Sequence, residues 1–165
     1  MRFRRPDHVG LTVPDLDEAV AFFVDVLGAA EQYRFGRQDD PVLMEGGIGV
    51  HPRASFRAAM LRLTPTLNVE LFQWTAPRQR SQMPQPSDIG GHHLCLLVDD
   101  LDAAVAELHG RPELRIYDGP GRLTMGAHAG GRWIYFRTRW GLQIELIADH
   151  PDGGRSEAEG HHDER

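Results

Sequence analysis

The chain has 165 residues, of which 41% are hydrophobic and 25% charged, with a formal net charge of −6 and a single cysteine. This composition is typical of a soluble globular protein with one ordinary domain or two small modules, and no apolar run approaches the roughly 20 residues of a membrane span. Net negative charge and scattered arginines argue against nucleic acid as a partner, and no secretory signal or disulfide is predicted. We therefore expect a soluble cytoplasmic protein, and composition and charge imply nothing more specific.

The first part of the chain predicts the element order βαβββ. His8–Val13 alternates in polarity and is predicted to be a strand. Asp15 then caps a helix that Gly28 ends, and the apolar stripe of this helix consists of Leu16, Val20, Phe23 and Leu27. Further strands are predicted at Glu31–Arg37, Phe56–Leu63 and Asn68–Trp74. We assign residues 1–75 to a first module.

The second part of the chain predicts the same order again. A strand at His93–Val98 precedes a helix from Asp100 to His109, which Gly110 ends. The remaining strands are predicted at Glu113–Tyr117, Trp133–Thr138 and Leu142–Ala148. We assign residues 92–148 to a second module, residues 76–91 to a proline-rich polar linker, and residues 149–165 to a disordered tail.

The two modules also match residue by residue. When the fourteen residues from His8 are aligned with those from His93, nine columns are identical, beginning with the histidines themselves. A second match follows downstream, where Asn-Val-Glu70-Leu-Phe corresponds to Gln-Ile-Glu145-Leu-Ile. Each module therefore opens with a histidine and closes with a glutamate.

Two tandem βαβββ modules with this order of histidine and glutamate resemble the vicinal oxygen chelate superfamily, which includes glyoxalase I, methylmalonyl-CoA epimerase, extradiol dioxygenases and bleomycin-resistance proteins. The resemblance implies an α+β fold in which each module curls a sheet into half of a cup around one divalent metal ion. The family's ligand positions fall on His8, Glu70, His93 and Glu145. The segments around Gly90-Gly-His-His-Leu, Arg132-Trp-Ile-Tyr-Phe and Trp140-Gly-Leu-Gln-Ile-Glu are most similar to the group that contains 2-epi-5-epi-valiolone epimerases.

Strand alternation points to the same four residues. In the first strand, His8 lies on the face opposite Leu11 and Val13, and these two residues are expected to pack under the helix. Glu70 shares its face with Phe72, and the same reasoning directs His93 and Glu145 away from the apolar face of the second module. A bound cation would offset the cost of carboxylates on largely apolar strands. Two imidazoles and two carboxylates suit zinc, nickel, cobalt, manganese or ferrous iron.

The metal site favours removal of a proton next to a carbonyl, with Glu70 or Glu145 as the base and an enediolate stabilised by the metal. We predict an epimerase that acts on an α-hydroxyketone, such as a cyclitol ketone related to valiolone. The oligomeric state is left open: the modules can pair within one chain or be swapped between two chains of a homodimer, which is common among relatives. Three alternatives stay open. A glyoxalase I-like lyase is disfavoured because Thr138-Arg-Trp-Gly replaces the usual turn before the last glutamate, an extradiol dioxygenase would leave Glu70 surplus, and a drug-binding resistance protein would need no metal.

Neighbouring residues receive less specific predictions. His92 is expected to be a packing residue, because a shift of one residue turns a side chain to the other face of a strand. His51 and His128 are expected to be solvated loop residues. Glu45 is assigned to a glycine-rich loop, where it could act as an auxiliary base, and Cys95 is expected to be a small core residue.

Overall fold

The computed structural model describes residues 2–150. The chain divides into two compact units, Met1–Ser81 and Gln82–Arg165, and the boundary between them falls inside the segment predicted to be a linker. Most of the predicted disordered tail, residues 151–165, lies outside the described residues. Within residues 2–150, no helix combines the length and the apolar character that crossing a membrane requires.

The first unit is a four-stranded sheet with one α-helix on it. Its elements in chain order are β1 (His8–Thr12), α1 (Leu16–Asp25), β2 (Ala30–Gln38), a short π-helix (Leu43–Ile48), β3 (Ser55–Thr64) and β4 (Leu67–Thr75). The strand order in the sheet is β1-β4-β3-β2, in which β1 and β4 are parallel and the other pairs antiparallel. The parallel pair places the beginning of the module beside its last strand, so the opening histidine and the closing glutamate lie on neighbouring strands.

The second unit repeats this arrangement with one additional short strand. Its elements are β5 (His93–Leu97), α2 (Leu101–Leu108), β6 (Leu114–Ile116), β7 (Gly121–Arg122), β8 (Arg132–Thr138) and β9 (Gln143–Ala148). The strand order is β5-β9-β8-β6, with β5 and β9 parallel and β7 paired with β8. The α+β fold class and the βαβββ order predicted from the sequence are confirmed.

Both helices begin where the aspartates predict. The Asp15 carboxylate accepts a hydrogen bond of 2.9 Å from the backbone N–H of Glu18. Asp100 accepts the equivalent hydrogen bond, of 3.0 Å, from the N–H of Ala103. Such bonds satisfy N–H groups that the first helical turn leaves without a partner. The beginning of each helix is therefore encoded locally, within four residues.

The sheets separate a buried face from a half-exposed one. On β4, Val69 and Leu71 are fully buried beneath α1, whereas Glu70 between them points to the other face and is half-buried. On β9, Ile144 is fully buried and Glu145 has the same half-buried character. Strand alternation therefore places both glutamates on the face that the helices do not cover, as the sequence predicts.

Three local features differ from the sequence-based predictions. The glycine-rich segment that contains Glu45 is a π-helix rather than a loop, anchored by the fully buried side chain of Met44. Tertiary burial of one residue here outweighs the low helix propensity of Gly46 and Gly47. Val9, expected on the apolar face, remains 41% exposed at the beginning of β1. Strand β7 was not predicted, because two residues show no periodicity.

Candidate metal centre

The first unit brings His8 and Glu70 together. In the β1–β4 ladder, His8 lies opposite Asn68 and Gly10 lies opposite Glu70, so the imidazole reaches diagonally across to the carboxylate. The distance from His8 Nε2 to Glu70 Oε2 is 3.3 Å. The other ring nitrogen, Nδ1, lies 3.0 Å from a carboxylate oxygen of Asp7. Asp7 therefore orients the ring so that Nε2 faces Glu70, as is common for histidines that bind metals.

The second unit brings His93 and Glu145 together in the same register. His93 lies opposite Gln143 and Cys95 opposite Glu145 in the β5–β9 ladder. The distance from His93 Nε2 to Glu145 Oε2 is 3.0 Å. The side chains of Glu145 and Glu70 are only 13% and 16% exposed, whereas the two imidazoles are about 40% exposed. Each unit thus presents one nitrogen and one oxygen donor from matching positions.

The donor chemistry of these pairs fits a divalent metal ion. Two cis ligands at about 2.0–2.2 Å from one ion lie roughly 3 Å apart, which is close to the spacing in both pairs. A carboxylate that is mostly removed from water also benefits from a cation. Within residues 2–150, neither unit by itself gathers three or more histidine, cysteine, aspartate or glutamate side chains around one point. Each unit therefore supplies two donors.

Glu145 has hydrogen-bond donors on both sides. Cys95 lies opposite it on β5 and Tyr135 opposite it on β8, so a thiol and a phenol flank its carboxylate on the same face of the sheet. Burial, reinforced by the neighbouring carboxylate of Glu145, raises the pKa of Tyr135 to about 12. Partial desolvation of the thiol, with the charge of Glu145 as the next cause, raises the pKa of Cys95 to about 11. Both groups are therefore protonated at neutral pH and available as hydrogen-bond donors.

Cys95 and Tyr135 were not predicted in these roles. Cys95 was expected to be a small core residue, but it is exposed, on the same face of the second sheet as Glu145. Alternation along β8 is the sequence signal for Tyr135, because it places this residue on the half-exposed face of the sheet. The Tyr135 ring also contacts the His93 ring edge to face, with centroids 5.4 Å apart.

The other candidate histidines have local partners. The imidazole of His92 donates from Nδ1 to the Gly90 carbonyl oxygen at 3.1 Å. His51 accepts a hydrogen bond of 3.0 Å from the backbone N–H of Arg53. His128 Nδ1 lies 2.6 Å from a carboxylate oxygen of Asp149. None of these contacts includes Glu70 or Glu145.

Comparison with known proteins identifies the family of the chain. The sequence profile of the Glyoxalase/Bleomycin resistance protein/Dioxygenase superfamily matches residues 7–112. The chain belongs to this superfamily. The family resemblance predicted from the repeated histidine and glutamate is thereby confirmed.

Individual members of the superfamily are similar over most of the chain. A 2-epi-5-epi-valiolone epimerase from Actinomyces sp is 48% identical over 140 residues, which cover 85% of this chain and 76% of that protein. A glyoxalase family protein from Bacillus cereus has a similar structure, with a TM-score of 0.69 and 21% identity, over 91% of this chain and 97% of the other. A fosfomycin resistance protein from Listeria monocytogenes, complexed with Mn(II) and sulfate, gives a TM-score of 0.57 and 15% identity, over 92% of this chain and 97% of the other.

Proposed function

We propose that this member of the superfamily is an epimerase that uses one divalent metal ion, held by His8, Glu70, His93 and Glu145. The observation that carries the proposal is the duplicated imidazole–carboxylate pair, with nitrogen and oxygen 3.3 Å apart in one unit and 3.0 Å in the other. Because each unit supplies only two donors, a four-ligand set requires both pairs. The 48% identical relative, a 2-epi-5-epi-valiolone epimerase, supports the reaction class.

The reaction would invert a carbon next to a ketone. A bound divalent ion supplies Lewis-acid polarisation of the ketone oxygen and stabilises the negative charge that develops there. Glu70 and Glu145, the carboxylates of the proposed ligand set, would be the candidate bases that remove the proton from that carbon. All four side chains would thus bind the ion, and the two glutamates among them would also supply the base.

The surroundings of the carboxylates suit a compact ring substrate. Phe72 and Trp74 follow Glu70 at alternate positions on β4 and are half-buried, with ring centroids 5.8 Å apart in a stacked arrangement. In the second unit, Trp133 and Tyr135 occupy successive positions on the same face as Glu145. Flat aromatic surfaces of this kind pack against the C–H face of a carbocycle. We therefore propose a cyclitol α-hydroxyketone of the valiolone type as the substrate class.

Hydrogen exchange tests the proposal directly. The protein is stripped with a chelator, reloaded with Mn²⁺ and incubated with 2-epi-5-epi-valiolone in deuterated water, and deuterium incorporation next to the ketone is followed by NMR. We expect incorporation that requires the metal and that His93→Ala abolishes, whereas Glu107→Gln, an exposed substitution on α2, leaves it unchanged. Exchange at full rate in the stripped protein would contradict metal dependence. Absence of exchange in the loaded protein would contradict the substrate class.

The oligomeric state and cellular location stay predictions. The two donor pairs can meet within one chain or be exchanged between two copies in a homodimer, and both arrangements use the same four residues. Sedimentation of the protein with and without Mn²⁺ distinguishes a monomer from a dimer. The cytoplasmic location rests on sequence composition alone.

A further inference from the structure

The internal repeat makes Glu70 and Glu145 equivalent in the fold, but their neighbours differ. On the two strands beside β4, the residues directly opposite Glu70 are Gly10 and Met60. On the two strands beside β9, the corresponding residues opposite Glu145 are Cys95 and Tyr135. Residues that lie directly opposite one another have Cβ atoms about 5 Å apart and point to the same face of the sheet. The two carboxylates are therefore flanked by different chemistry at matched positions.

This difference concerns hydrogen-bond donors rather than burial. The two carboxylates are exposed to nearly the same extent, 16% for Glu70 and 13% for Glu145. Glycine has no side chain and a methionine thioether has no hydrogen to donate, so neither residue opposite Glu70 can donate a side-chain hydrogen bond to it. The phenol and the thiol opposite Glu145 each carry a hydrogen that can be donated to its carboxylate. Hydrogen bonds to the second oxygen of a metal-binding carboxylate hold it in one orientation.

Tyr135 contacts both members of the pair in the second unit. Its hydroxyl is a donor group on the residue directly opposite Glu145, and its ring lies edge to face on the His93 ring at an interplanar angle of 88°. In the first unit, the residue that corresponds to Tyr135 is Met60. Among residues 2–150, the additional polar partner of the first pair is Asp7, which contacts the His8 ring. In the described part of the chain, neighbouring side chains can therefore orient both the imidazole and the carboxylate of the second pair, but only the imidazole of the first pair.

We propose that the two carboxylates have different tasks: Tyr135 and Cys95 are positioning residues that hold Glu145 as a permanent metal ligand, and Glu70 is the base. This inference rests on the proposed function of the site. Glu70 takes the proton from the carbon next to the ketone, and the C–H electron pair moves toward the ketone oxygen. Solvent water delivers a proton to the opposite face of that carbon as the electron pair returns from the oxygen to form the new C–H bond, and Glu70 returns its own proton to the hydroxide left behind. Atoms and charge balance, and no oxidant or reductant is needed.

Metal binding and hydrogen exchange together test this division. Mn²⁺ affinity is measured by titration calorimetry, and deuterium incorporation into 2-epi-5-epi-valiolone is measured at saturating Mn²⁺. For Glu70→Gln we expect exchange to fall by about 100-fold or more, as for loss of a general base, with a much smaller change in Mn²⁺ affinity. For Glu145→Gln we expect Mn²⁺ affinity to fall more steeply than in Glu70→Gln. Equal losses of affinity in the two glutamine variants would overturn the proposal.

The positioning role has its own variants. Tyr135→Phe keeps the ring against His93 and removes only the hydroxyl, and it should weaken Mn²⁺ binding by about 10–100-fold. The matched substitution in the first unit, Met60→Leu, should leave the affinity unchanged. Cys95→Ala should weaken binding and Cys95→Ser, which restores a donor, should recover it. A Tyr135→Phe protein with the affinity of the wild type and an unchanged melting temperature would show that the phenol does not position the ligand.

The outcomes separate this inference from the proposed function. If the wild-type protein binds no Mn²⁺ or exchanges no hydrogen, the proposed function fails and the inference fails with it. If the wild-type protein does both and the Glu70 and Glu145 variants behave alike, only the division of tasks fails. If Glu70→Gln loses affinity and Glu145→Gln loses only exchange, the tasks are assigned to the wrong carboxylates.

Discussion

Removal of a single histidine gives the sharpest test of a shared metal ion. The two donor pairs lie in different units of the chain and have nearly equal nitrogen–oxygen distances, so His8 and His93 should contribute similarly to one site. Each proposed site uses two pairs and each chain contributes two pairs, so there is one ion per chain. This ratio is the same whether the pairs meet within a chain or between two copies. His8→Ala and His93→Ala should therefore each remove all of the tightly bound Mn²⁺, rather than half of it.

The size of the effect follows from linkage between binding and folding. At a free Mn²⁺ concentration of about 100 times the wild-type Kd, binding stabilises the folded protein by about 2.7 kcal/mol. Loss of an imidazole ligand, for which alanine offers no donor, should weaken binding at least as much as the roughly 100-fold upper range for the loss of a residue behind a ligand, which leaves about 0.4 kcal/mol at the same concentration. The difference of about 2.3 kcal/mol corresponds to roughly 5–9 °C in Tm for a protein of this length.

The assay combines Tm with metal content. Thermal unfolding is followed with and without Mn²⁺, and bound metal per chain is determined by elemental analysis after dialysis. His92→Ala is the matched control, because His92 adjoins His93 in the chain but hydrogen-bonds to the Gly90 carbonyl. Two ions per wild-type chain, with one lost in each variant, would mean that the pairs bind separately. A Mn²⁺-dependent Tm shift that survives in both variants would refute the assignment of the ligands.

Three further predictions concern the fold that carries the site. Ile144→Ala, at a fully buried position of β9, should lower the free energy of unfolding by about 2–5 kcal/mol in a urea titration, and a loss below 1 kcal/mol would contradict its core position. Asp15→Ala should cost about 1 kcal/mol, because the N–H of Glu18 loses its acceptor, and Asp15→Asn should recover most of this in the same titration. The hydrogen bonds from the Arg132 guanidinium lower the pKa of Asp102 below its usual 3.8. The ion pair therefore stabilises the folded state fully above pH 3.8, and this stabilisation is lost as the pH falls through the lowered pKa and the carboxyl is protonated. The Tm of Asp102→Asn should accordingly lie below that of the wild type at pH 7 and meet it on acidification, and a constant difference down to pH 2 would contradict the ion pair.

Much of the candidate site could be read from local patterns. A strand with a period of two separates Glu70 from Val69 and Leu71 wherever the strand is placed, because successive side chains must point to opposite faces. A helix cap such as Asp15 acts within four residues. The repeat of histidine and glutamate adds a second, independent copy of the same pattern, and so four residues could be selected before any contact was known.

Side-chain contacts between strands could not be obtained in this way. Which residue lies opposite Glu145 depends on the lengths of the connections and on the register of three strands, and a shift of one residue exchanges every neighbour. The presence of Tyr135 beside Glu145, and of Met60 at the matched position beside Glu70, emerges only from the paired strands. The same holds for the π-helix around Met44, whose burial is a property of the packed unit.

The amino-acid sequence by itself thus determined the duplicated βαβββ order, the residue at which each helix begins and the four candidate ligands, since each depends on spacing along one segment. The tertiary structure alone decided that each imidazole lies within about 3 Å of its carboxylate and that only one of the two carboxylates has side-chain donors at both flanking positions. The physical reason is that hydrogen bonds and metal coordination act over distances of a few ångströms, and residues far apart in the chain reach such distances only when strand pairing fixes their register.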